Sequence, residues 1–137
     1  MRVIRWALLL PAALIAAVLV TFPMHWLALA IRSTDGNPLS ALPLDVLERL
    51  LYAFAVPYFF VLAAAFFSPI HRAKVGAIAC VAVGIVAAML LAWFVGQEDL
   101  AIAGPDWARV ITPALWGAGL LCAYFVTRKA DKWDWPG

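Results

Sequence analysis

Charge is what this sequence has least of. Only 13% of its 137 residues are Asp, Glu, Lys or Arg, against about a quarter in a soluble domain, while 66% are hydrophobic. Such a chain cannot cover a folded surface with polar groups, which excludes a soluble domain. The formal charge of +2 is small and dispersed, with no basic run interleaved with aromatics, so nucleic acid is not an expected partner.

Histidine and cysteine are also scarce, two of each. His25 and His71 fall near opposite ends of their apolar segments and cannot share an iron, and no further ligands stand at metal spacing. Cys80 and Cys122 lie inside apolar segments, where a free thiol packs as a small apolar residue. No carboxylate interrupts the first apolar segment, which removes the proton-coupling group a small four-helix multidrug exporter needs. Intramembrane charge is the usual mark of ion or proton movement, and no span carries one at depth. Neither a nucleophile elbow, a zinc-protease helix nor a phosphate-cradling glycine loop occurs. The chain is therefore expected to be no enzyme and to hold no cofactor or metal. The one catalytic version its residues permit is lipid-headgroup chemistry at an outer polar cluster of His25, Glu48 and Arg49.

What the sequence has is length in apolar runs. A bilayer crossing takes ~20 helical residues, and four such runs use most of the chain. They predict an all-α integral membrane protein, a single transmembrane domain with helices over about 6–31, 44–68, 73–96 and 107–127 and a tail over 128–137. The first run, about 25 residues, exceeds the roughly 7–15 of a signal-peptide core and reads as an uncleaved span. Pro23 should kink it, because proline removes a backbone donor and crowds the preceding turn. Asp35-Gly36-Asn37-Pro38 is turn chemistry, and Pro43 suits a helix start. Ser68 to Lys74 is too short for anything except a hairpin. The arrangement expected is four antiparallel helices in an up-down-up-down bundle with short loops.

The third run, Ala73 to Gly96, has a small residue at every fourth position: Gly76, Cys80, Gly84, Ala88, Ala92 and Gly96. Residues four apart share one helix face, and small faces let helix backbones approach closely in lipid. The fourth run offers Ala114, Ala118 and Cys122 at the same spacing. A hairpin turning near residue 101 would set Cys80 beside Cys122, Gly84 beside Ala118 and Ala88 beside Ala114. Because a four-residue repeat drifts against 3.6 residues per turn, the far part of the stripe should turn away toward another helix.

Basic residues in short loops set orientation. Arg2, Arg5, Arg72, Lys74, Arg128, Lys129 and Lys132 fall at the termini and second connection, whereas Arg32, Arg49 and Arg109 fall at the first and third. Both termini are thus expected to be cytoplasmic, in the cytoplasmic (inner) membrane, with the tail along the membrane surface.

The functional expectation is a non-catalytic accessory subunit of a membrane assembly. It would bind a membrane-protein partner, or itself as a homo-oligomer, within the lipid bilayer. The second helix supplies the candidate partner surface, an aromatic set of which Phe59 and Phe66 are the members to test. The alternative is a small oligomeric channel or transporter with its pathway between protomers.

Overall fold

The protein is seen here as a computed structural model that describes residues 2–95 and 106–133. The third connection, with Gly96, and residues 134–137 lie outside the described residues. The described residues form five α-helices, α1 (Arg2–Leu19), α2 (Thr21–Ser33), α3 (Leu44–Phe67), α4 (Arg72–Val95) and α5 (Asp106–Thr127), with short 3-10 turns at Pro38–Ala41 and Ala130–Lys132. No strand occurs among the described residues. Taking α1 and α2 together, four segments among the described residues are long and apolar enough to cross a membrane.

The first of these is interrupted at Val20, whose backbone remains helical at φ −67° and ψ −20°. The break precedes Pro23, which cannot donate to the carbonyl four residues back and crowds that turn. The Val20 and Met24 amides still bond to Ala16 and Val20, at 3.1 and 3.3 Å. The interruption is confined to this one residue. Pro11 lies well inside α1, since that helix starts at Arg2, ahead of the Trp6 start expected from hydropathy.

α3 is the hub. It packs against each of the other four helices, most extensively against α5 and α1. Its sequence explains this: Ala53, Ala55, Ala63, Ala64 and Ala65 are buried, and alanine adds no bulk to hold a neighbour away. Val61 is fully buried in a core that joins Ala13 of α1, Ala63 and Ala64 of α3, Ala79 of α4 and Ala123 of α5. The large side chains point the other way. Leu14, Ile15, Ile78, Ile85, Met89, Leu121 and Phe125 are exposed, so the bundle is alanine inside and leucine, isoleucine and phenylalanine outside. In water this apolar exterior would be a severe aggregation surface.

α4 and α5 meet tightly where α4 begins. Gly76 is buried so closely that a Cβ there would lie 2.6 Å from Thr127 Oγ1, with Ala65 of α3 behind it at 3.4 Å. Next along the contact the Cys80 thiol faces the Leu120 carbonyl oxygen at 3.6 Å, and Leu120 Cδ1 covers Gly84. The axial register is near the one expected from the hairpin, but the rotation of α5 differs. α5 presents Leu120, Ala123 and Thr127 to α4, while Ala114 and Cys122 are exposed and Ala118 is half-buried. The cause is Gly119, where a Cβ would overlap the Phe54 carbonyl oxygen of α3. α5 turns its glycine to the hub, and the alanine and cysteine stripe turns outward with it.

The start of the tail is tied to α4. Ala130 is buried, the Asp131 carboxylate accepts from the Ala73 amide at 3.2 Å, and Arg72 Nη1 donates to the Trp133 carbonyl at 2.9 Å. The first amides of a helix lack partners inside it, and the helix dipole favours an anion there. Asp131 meets both needs for α4, so the start of the tail folds back onto the bundle.

Candidate functional site

Two polar faces of α3 are built from its first turns. Helical residues one apart diverge by about 100°, so Glu48 and Arg49 address different neighbours. Glu48 meets α2, where its carboxylate contacts His25 Nδ1; the histidine ring also stands edge-on to Trp26, 6.1 Å between centroids. Both side chains remain partly open, 43% exposed for His25 and 22% for Glu48.

Arg49 belongs to the other face. With Asp45 and Tyr52 it lines a cleft of about 370 Å³ whose opposite wall is Thr112 and Trp116 of α5, floored by Ala53 and Val56. The outer trio of the sequence is thus divided: His25 and Glu48 are brought together, and Arg49 is turned toward α5. Asp45, Thr112 and Trp116 were missed because nothing in a linear sequence marks which face of α5 meets α3.

As chemistry, a histidine beside a carboxylate is an oriented base, but it needs a group to activate. No serine, cysteine or lysine side chain hydrogen bonds to the pair among the described residues, and no group of three or more His, Cys, Asp or Glu converges there. Comparison with known proteins finds no match. No family model, curated protein or solved structure resembles the chain.

The small-residue stripe of α4 divides in the middle. Gly76 is buried and Cys80 and Gly84 are half-buried against α5, whereas Ala88 and Ala92 are exposed. Beyond Gly84 the two helices part around an apolar groove of about 400 Å³, lined by Gly84, Ala87, Ala88, Leu91, Trp116 and Gly117 among others. A Cβ on Gly117 would meet nothing within 4 Å. Of the aromatic set on α3, Phe54 and Tyr58 stack on each other at 5.9 Å and Phe60 packs on the core. Phe59 and Phe66 are exposed, each 36%, with Phe66 and Phe67 flanking a second groove of about 300 Å³ against α1.

Proposed function

We propose that this protein is a multi-pass membrane protein whose role is to bind another membrane helix, as a non-catalytic member of an assembly. The observation that carries the reading is the groove between α4 and α5. It is lined by Gly84, Ala87, Ala88, Leu91, Trp116 and Gly117, and none of the described residues fills it. In lipid, helices associate through close packing rather than through expulsion of water, so a groove that admits a backbone is an association surface. The exterior of leucine, isoleucine and phenylalanine suits hydrocarbon, and four antiparallel spans with both termini on the cytoplasmic side accommodate the basic residues best.

A solute pathway finds less material. Ser68 and Thr127 are the only buried polar side chains among the described residues, and each bonds internally, Ser68 Oγ to the Ile70 carbonyl at 2.5 Å and Thr127 Oγ1 to the Ala123 carbonyl at 2.8 Å. A conducting path needs groups that replace water around its solute.

The test uses Gly117, which the fold leaves free. Gly117→Leu should fill the groove, leave the thermal stability of the purified protein near wild type, and lower copurification of the partner or homo-oligomer by about tenfold. Phe59→Ala with Phe66→Ala probes the other exposed surface and should have a smaller effect. Undiminished association of Gly117→Leu would remove the groove from consideration, and solute flux through pure reconstituted protein would replace the reading altogether.

Orientation is tested separately. In a background lacking Cys80 and Cys122, a cysteine replacing exposed Ser33 should react with an impermeant thiol reagent applied to intact cells, and one replacing exposed Lys132 should not. Ala130 is unsuitable as the inner probe because it is buried and would stay silent from either side. Labelling of Lys132→Cys from outside would invert the topology.

A further inference from the structure

The cleft between α3 and α5 has a polarity gradient along its length. Its lining follows α3 from Asp45 and Arg49 through Tyr52 to Val56, with Thr112 and then Trp116 along α5. From Asp45 to Val56 α3 advances about 16 Å at 1.5 Å per residue, so charge gives way to hydrocarbon over roughly half of a bilayer's ~30 Å apolar thickness. A membrane phospholipid has the same order: charged head, ester and hydroxyl region, then acyl chain.

The two charges select among headgroups. Asp45 and Arg49 are four apart on one helix face, with side chains about 5–6 Å from each other at their Cβ atoms. A headgroup that carries a phosphate and, two carbons away, a primary ammonium can meet both at once. Arg49 already interacts within the chain, and its guanidinium carries five N–H donors in a planar fork suited to phosphate oxygens. Asp45 is exposed and accepts from an ammonium. A quaternary ammonium has no N–H to donate, and an anionic headgroup places a second negative or neutral group against the Asp45 carboxylate. The geometry points to this cleft as a binding site for an aminophospholipid, with Arg49 on the phosphate, Asp45 on the ammonium and an acyl chain along Val56 and Trp116.

This rests on the membrane placement proposed above, and alkaline extraction of native membranes tests that placement independently: release of the protein by carbonate sinks the placement, whatever the lipid result. The binding test is native mass spectrometry of the full chain in mild detergent. It is titrated with phosphatidylethanolamine, phosphatidylcholine and phosphatidylglycerol of identical acyl chains. Wild type should retain phosphatidylethanolamine several-fold over the other two. Arg49→Gln should lower its occupancy about tenfold, the effect of losing a charge-assisted contact. Asp45→Asn should keep lipid binding but abolish the preference of phosphatidylethanolamine over phosphatidylglycerol, a change of selectivity that a misfolded protein would not produce. Equal retention of the three lipids by wild type, or an unchanged preference in Asp45→Asn, overturns the assignment.

Discussion

Replacing Gly119 with alanine should destabilise the protein far more than the same change two residues earlier. A methyl group at Gly119 would overlap the backbone carbonyl oxygen of Phe54 and stand 3.3 Å from both the Phe54 carbonyl carbon and Pro57 Cγ. The obstacle is main chain of the hub helix, which cannot rotate aside as a side chain can. Overpacking of this kind costs about 1–3 kcal/mol and sometimes more, which for a chain of this length corresponds to a fall in Tm of very roughly 10 °C. Gly119→Leu should leave no folded protein. Gly117→Ala meets open space and should be neutral, or stabilising by up to ~1 kcal/mol through helix propensity. Thermal denaturation followed by circular dichroism in detergent gives the comparison, and equal melting of Gly117→Ala and Gly119→Ala would mean that α5 does not turn Gly119 to α3.

Gly76→Ala should be the second large effect, and it comes with a partner that can reveal its cause. The new Cβ would lie 2.6 Å from Thr127 Oγ1 and 2.8 Å from Thr127 Cβ, and the hydroxyl is held by its bond to Ala123, so a rotamer change would break that bond and still leave the Cβ clash. A loss of about 1–3 kcal/mol is expected. Thr127→Gly should also destabilise, by removing packing and adding backbone freedom. Combined, the two changes exchange which helix carries the small residue. The double variant should therefore be more stable than the sum of the two single losses by about 1–2 kcal/mol, the signature of residues in direct contact. Strict additivity would show that Gly76 and Thr127 do not touch.

Pro57 illustrates how a residue readable as a defect becomes an anchor. In the sequence it breaks the hydrogen-bond ladder of the second apolar run; in the fold it is buried, and its ring borders the place where Gly119 brings α5 against α3. Both residues are visible in the sequence. Their meeting is not, since each helix offers several faces and apolar residues surround all of them. In an amphipathic helix the polar side identifies the buried one, but a helix apolar all round withholds that signal. This is why Cys122 and Ala114 could be taken for the inward face of α5 from spacing alone, when the rotation is decided by Gly119 fitting against the Phe54 carbonyl.

The same limit shaped the candidate site. His25 and Glu48 could each be placed near one end of a helix by counting residues, and their contact across α2 and α3 was within reach of that count. The separation of Arg49 from them follows from the 100° step between adjacent residues, yet the composition of its cleft depends on which residues α5 turns inward. The aromatic set of α3 could be read as a surface, but three of its members are used inside the bundle because α3 lies between the other helices.

By itself the sequence determined the all-helical character, the presence of four long apolar segments and the small residues available for close packing, because these depend on local chemistry: hydropathy and the absence of side-chain bulk. Only the tertiary structure decided that α3 is the hub, that half of the α4 stripe is used within the chain, that the tail caps α4 through Asp131, and that Asp45 and Arg49 open onto α5. Those outcomes depend on the rotation of each helix about its own axis, which no apolar pattern specifies when every face is apolar and which is settled only where one backbone fits against another.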